Sequence, residues 1–123
     1  MPKDAIHWFE VPALDLPRAC KFYNRVLGYN LAPFDTHNCS MAMFPCEPGQ
    51  GVGGAVTKQA DFQPSTQGTL IYLDCGPDLA VALAKVEDAG GKVLMPKTAI
   101  GQHGFIALFQ GTEGNRVGLH SMA

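Results

Sequence analysis

Long apolar runs and basic runs are both missing from this chain. Its longest apolar stretches are about six residues, far short of a membrane-spanning helix, so a membrane is not an expected partner. The 9 basic and 11 acidic residues are spread along the sequence and leave a formal net charge of −2. Without a basic patch, nucleic acid is not an expected partner either. Charged residues make up only 16% of the chain against 46% hydrophobic ones, the reverse of the balance in a disordered chain. The opening residues Met1-Pro2-Lys3-Asp4 lack the apolar core of a signal peptide, which makes a cytoplasmic location the default expectation. Cysteine is sparse: Cys20, Cys39, Cys46 and Cys75 form no C-x-x-C pair and match no zinc spacing. They are expected as free thiols, with Cys20 and Cys75 serving as small core residues.

What the sequence does have is an internal repeat. Ile6-His7-Trp8-Phe9-Glu10-Val11 matches Leu70-Ile71-Tyr72-Leu73-Asp74-Cys75 at an offset of 64, aromatic on aromatic and acid on acid. Gly28 then matches Gly91 and Pro33 matches Pro96 at an offset of 63, and Gly54 matches Gly118 at 64. Residues 5–11 alternate like a strand. Asp15 offers a helix N-cap, Pro17 is tolerated in the first turn, and Gly28 offers the C-cap. Between them Leu16, Ala19, Cys20, Tyr23, Val26 and Leu27 recur at helical spacing. Short strands are expected near 29–34, 39–45 and 52–58, and a polar linker over 59–68. The second half repeats the order, with a strand at 69–75, a helix at 78–89, and strands near 92–97, 104–110 and 115–121. The reading is one α+β domain over 1–123, built from a β-α-β-β-β module at about 1–58 and another at about 69–123. A module of about 60 residues is marginal alone, and two packed together share one core.

Three segments carry a family resemblance. They are Asp15-Leu16-Pro17-Arg18-Ala19-Cys20-Lys21-Phe22-Tyr23 with Val26-Leu27-Gly28-Tyr29, then Ala89-Gly90-Gly91-Lys92-Val93, and finally Thr112-Glu113-Gly114-Asn115-Arg116-Val117-Gly118-Leu119-His120-Ser121. In these the chain resembles the vicinal oxygen chelate superfamily, the glyoxalase/bleomycin-resistance/dioxygenase fold. The resemblance implies two tandem modules forming a curled, cup-shaped mixed sheet, with helices on the convex side and a small ligand in the cup, often with a divalent metal. It implies activities ranging from glyoxalase-type isomerisation and ring cleavage to drug sequestration, among which the site must decide. It also implies metal ligands on the first and last strands of each module. A gapless alignment puts those positions at Ile6, Gly54, Leu70 and Gly118, none of which binds a metal through its side chain. No cofactor is therefore expected.

Alternation puts Ile6, Trp8 and Glu10 on one face of the first strand and His7, Phe9 and Val11 on the other. A carboxylate beneath a helix is costly, so Trp8 and Glu10 are assigned to the cup, and Tyr72 and Asp74 by the same argument. His120 shares a face with Gly118. The glycines Gly54 and Gly118 leave open space suited to an apolar or planar ligand, and Met41, Met43 and Phe105 are the candidate apolar lining. Glu10, Asp74 and His120 are the candidate proton-transfer groups, and they are expected to converge with Trp8 and Tyr72 on one cavity. His37 and His103 read as loop histidines. The function expected is small-molecule binding without the usual metal, with metal-independent lyase or isomerase chemistry if the protein is catalytic. The alternatives are non-catalytic drug or metabolite sequestration, and a metal-dependent lactoylglutathione-lyase-like enzyme or dioxygenase. A homodimer is expected, by the resemblance and because two half-sheets leave edges and apolar area to cover.

Overall fold

The structure, a computed structural model, describes residues 4–36, 38–47 and 49–123; Met1–Lys3, His37 and Pro48 lie outside the described residues, so neither the N-terminal reading nor that of His37 is addressed by it. The first module runs β1 (Trp8–Pro12), α1 (Leu16–Leu27), β2 (Phe34–Asp35), β3 (Ser40–Met43) and β4 (Gly53–Lys58). The second runs β5 (Tyr72–Asp74), α2 (Leu79–Leu83), β6 (Lys92–Ala99), β7 (Phe105–Gln110) and β8 (Arg116–Ser121), with a 3-10 turn at Gly101–His103 before β7. The β-α-β-β-β order therefore occurs twice. The strands form two four-stranded sheets, ordered β1-β4-β3-β2 and β5-β8-β7-β6. In each, the first and last strands of the module pair in parallel and the remaining pairs are antiparallel.

Local chemistry fixes the ends of α1. The Asp15 carboxylate accepts from Arg18 N at 3.0 Å, and Gly28 closes the helix at φ 71°, donating its N–H to Asn24 O at 2.9 Å. Leu16, Ala19, Cys20, Phe22, Tyr23 and Val26 are its buried stripe. The second helix is shorter than its apolar spacing suggests. Asp78 caps it by accepting from Ala80 N at 2.9 Å. Beyond Leu83 three-residue bonds, Lys85 N to Ala82 O and Val86 N to Leu83 O, mix with a four-residue one, Ala89 N to Lys85 O, and the segment continues as turns to Gly90.

Both helices and one face of each sheet enclose a single core. Phe9, Val11, Ala42, Phe44 and Val56 enter it from the first sheet, and Leu73, Ala107, Phe109, Val117 and Leu119 from the second. Phe22 of α1 packs on Phe109 of β7 with ring centroids 5.6 Å apart. Neither module buries its helix-side face without the other.

A polar tie reinforces this packing. Glu113, in the turn before β8, is buried and accepts from Leu14 N at 2.9 Å, Asp15 N at 2.7 Å and Arg18 Nε at 2.7 Å. Asn115 donates from Nδ2 to Pro12 O at 2.6 Å and accepts from Ser65 N at 3.2 Å. The turn that carried part of the sequence resemblance thus fastens the β1–α1 junction and the linker to the second module.

Candidate functional site

With Phe9 and Val11 committed to the core, alternation leaves Trp8 and Glu10 on the face of the first sheet away from the helices. There Trp8 Nε1 donates to Glu10 Oε2 at 3.2 Å. Leu73 is likewise in the core, and Tyr72 and Asp74 lie on the helix-free face of the second sheet. These two faces, turned away from the core, are the half-cups.

The parallel pairing decides which residue neighbours which. Trp8 is registered against Gly53 and Tyr72 against Gly118. In each half-cup an aromatic ring lies against a glycine. A Cβ placed on Gly53 would meet the Trp8 ring at 3.4 Å, and one on Gly118 would meet the Tyr72 ring at 2.3 Å. The next rows are Glu10–Ala55–Met43 in the first sheet and Asp74–His120–Ile106 in the second.

This register corrects two readings. Gly54 does not face the half-cup: it is paired with Phe9, whose ring lies 2.4 Å from a Cβ built there, on the core side. The glycine equivalent to Gly118 is its neighbour Gly53. Ile6, which is exposed, and Leu70 precede β1 and β5, and both line a cavity of about 410 Å³; the strand residues paired with Gly53 and Gly118 are Trp8 and Tyr72. Phe105 is on the core side, packed against the core with Lys97 Nζ 4.6 Å from its ring centroid; Ile106 and Leu108 are the β7 residues on the half-cup face.

Met41 and Met43 lie on the first half-cup, Met41 half-buried and Met43 exposed. His120 is half-buried on the second, its Nε2 2.7 Å from His103 O. Two adjoining cavities border this region. One of about 690 Å³ is lined by Trp8, Tyr29, Met43, Cys46 and Gly53 among others, and one of about 410 Å³ by Phe9, Tyr29, Phe44, Ile71, Tyr72 and Asp74 among others. Tyr29, Phe44 and Pro45 line both. Trp8 therefore borders one cavity and Tyr72 with Asp74 the other, so neither of these two holds all five residues expected to converge.

Tyr29 was not singled out by sequence reasoning. Its signal is its place directly after the helix-ending Gly28, which returns the chain toward the sheets. Burial pushes its phenol pKa up, with Cys75 and Asp74 adding to the effect.

A divalent metal, implied by the family resemblance, needs His nitrogen, thiolate or carboxylate donors in convergence. The paired positions at the floor of the half-cups are Trp8, Gly53, Tyr72 and Gly118. Among the described residues no three His, Cys, Asp or Glu side chains come together where an ion could be held. The described residues at these positions do not fit a metal.

Comparison with known proteins agrees with this architecture. The family described as bleomycin resistance protein-like N-terminal matches residues 6–45, about a third of the chain. A glyoxylase/bleomycin resistance protein/dioxygenase domain from Frankia sp. superposes with a TM-score of 0.72 at 15% identity, over 100% of this chain and 94% of that one. The chain has the vicinal oxygen chelate fold. A variant of glyoxalase I from Zea mays aligns with this fold over 97% of the present chain, with a TM-score of 0.68 and 20% identity. The chain spans about half of that protein's length, 46%. A genomically encoded fosfomycin resistance protein from Listeria monocytogenes shares the fold at a TM-score of 0.66 and 12% identity, over 100% of this chain and 94% of that one. No curated protein sequence matches the chain. Among the described residues no helix is long and apolar enough to cross a membrane.

Proposed function

We propose that this chain is a small-molecule-binding protein of the glyoxalase/bleomycin-resistance/dioxygenase type whose cup seats a planar, largely apolar ligand on aromatic rings rather than on a metal. The observation that carries this reading is the repeated aromatic-on-glycine pair, Trp8 with Gly53 and Tyr72 with Gly118. A ring beside a glycine, with no side chain there to crowd it, offers a platform for stacking, and Met41, Met43, Ile106 and Leu108 extend it as apolar floor. Glu10, Asp74 and His120 supply the polar groups beside that floor. If the protein is catalytic, they are the proton-transfer groups of a metal-independent lyase or isomerase; sequestration needs only the platform. The register of Asp74 beside His120 favours keeping the catalytic reading alongside binding.

A homodimer belongs to the same proposal. Trp8, Phe34, Met43, Tyr72 and Leu94 are each more than 40% exposed, an unusual amount of large apolar surface for a small monomer. A second copy laid across the half-cups would cover it and deepen the site.

Trp8 is the chain's single tryptophan, so its fluorescence reports on the first half-cup directly. A saturable change is expected with planar aromatic compounds, together with no stoichiometric divalent metal in protein purified without chelator. Fluorescence indifferent to every planar compound tried, or about one zinc, nickel or iron per chain, would sink the reading.

A further inference from the structure

The second half-cup contains a histidine whose tautomer the backbone dictates. His120 Nε2 lies 2.7 Å from the main-chain carbonyl of His103. A carbonyl oxygen can only accept, so Nε2 carries the hydrogen, and in a neutral imidazole Nδ1 is then a bare acceptor. The carbonyl itself is firmly placed. His103 ends the 3-10 turn, closed by Gly104 N to Gly101 O at 3.3 Å and by Ile100 N to Gly104 O at 2.9 Å. Gly104 sits at φ 95°, and a Cβ there would meet Ser121 O at 2.4 Å, so the turn lies hard against the end of β8.

The surroundings give the free nitrogen a role. His120 is registered between Asp74 of β5 and Ile106 of β7, and the adjacent row is Tyr72–Gly118–Leu108. The Asp74 carboxylate uses Oδ1 to accept from Gly76 N at 3.0 Å. Among the described residues no side chain donates to His120 Nδ1. Of the other titratable groups on this face, Tyr72 is one row away, and Arg116 is one row beyond that, paired with Gln110. Tyr72, Asp74 and His120 thus occupy adjacent rows of one face.

We propose that His120, locked as the Nε2–H tautomer by the His103 carbonyl, presents Nδ1 as the acceptor for the O–H or N–H of a planar ligand lying against Tyr72. The inference rests on the small-molecule reading above and adds a ligand class to it: planar compounds with a donor hydrogen at one edge, such as phenols and aromatic N–H heterocycles.

The test uses the full-length, ¹⁵N-labelled protein at about pH 8, where free imidazole is neutral. Ring-nitrogen NMR is expected to show His120 as the Nε2–H tautomer in wild type and equally in His103→Ala, which keeps the carbonyl. A protonated Nδ1, or a mixture of tautomers, overturns the lock. Phenol and anisole are then titrated into the same sample. Phenol is expected to move the His120 Nδ1 resonance saturably and to bind about five-fold or more tightly than anisole, the difference of roughly one hydrogen bond. The preference is expected to vanish in His120→Phe. Equal binding of the two compounds to wild type overturns the acceptor role and leaves the small-molecule reading standing. Binding of neither overturns both.

Discussion

Glu113 and Arg18 join the two halves of the molecule through a two-pronged ion pair: Arg18 Nε donates to Oε2 at 2.7 Å and Nη2 to Oε1 at 3.0 Å. The same carboxylate accepts the N–H groups of Leu14 and Asp15 just before α1. Its side chain is only 3% exposed while that of Arg18 is 49% exposed, so the tie is anchored from the second module. The position of the first helix, and hence of β1 and Trp8, depends on a residue some 95 positions away.

Replacing that anchor should therefore loosen the whole fold. Glu113→Ala strands two main-chain donors and a guanidinium, and is expected to lower the unfolding free energy by about 2–4 kcal/mol. Denaturant unfolding measures it. The acid limb should change as well. Burial alone would raise the Glu113 pKa, but the bonds from Arg18, Asp15 N, Thr112 and Leu14 N outweigh it and hold the group below the ordinary glutamate value. A carboxylate depressed in the folded state contributes stability that is fully present above its unfolded pKa, about 4.3, and is lost as pH falls through the folded value. Asp78, lowered by Lys97 and Ala80 N, acts with the same sign. Wild type should thus lose stability in that acid window, and Glu113→Gln should show a shallower loss. Identical slopes would show that the tie carries no pH dependence.

The three glycines at the β1/β4 and β5/β8 seams should separate cleanly on substitution by alanine. At Gly54 the new methyl would collide with Phe9 inside the core, and a loss of about 1–3 kcal/mol is expected. At Gly118 it would strike the ring of Tyr72, a residue 45% exposed, with solvent to swing into. Stability should then change little while any ligand bound against that ring is lost. At Gly53 the nearest ring atom is 3.4 Å off, an ordinary contact, and Ala should be tolerated. Thermal melts rank the three; Gly54→Ala melting with wild type would contradict the register.

Thr57 is fully buried, and its hydroxyl has no hydrogen-bond partner among the described residues. An unpaired buried hydroxyl is destabilising, and valine has nearly its shape. Thr57→Val is expected to stabilise by about 1 kcal/mol, seen as a raised Tm. A lowered Tm would show that the hydroxyl has a use.

The thiols should react in order of exposure. Cys20 is buried, and burial pushes its thiol up. Cys75 is half-buried and pushed up to about 11, chiefly by burial and further by Asp74, against an opposing backbone bond from His120. Cys46 is exposed. A thiolate-specific reagent at neutral pH should modify Cys46 first and reach Cys20 and Cys75 only on unfolding. Single Cys→Ser variants assign the phases, and Cys75 reacting as fast as Cys46 would contradict its burial.

Much of this architecture is written locally. The Asp15 cap, the Gly28 stop and the apolar spacing between them define α1 without reference to anything distant. The paired strings Trp8–Glu10 and Tyr72–Asp74 show the repeat, and alternation with the cost of a buried carboxylate assigns their faces. Gly54 was misread because Gly53 and Gly54 are adjacent and chemically identical. Only cross-strand pairing distinguishes them, and one residue of slip exchanges the two faces of a strand. Phe105 was misread for the same reason, one place from Ile106. The second helix looked longer because its apolar positions continue past Leu83, although the chain there continues as turns.

The sequence by itself determined two similar β-α-β-β-β units, the ends of the first helix and the residue types available to a site, because those follow from spacing and near-neighbour chemistry. Tertiary structure decided which glycine lies under which ring, that Glu113 and Asn115 fasten one module to the other, that Tyr29 stands between two cavities, and which nitrogen of His120 is free. Each of these depends on contacts between segments tens of residues apart, whose relative placement is set by the shared core and not by any local signal.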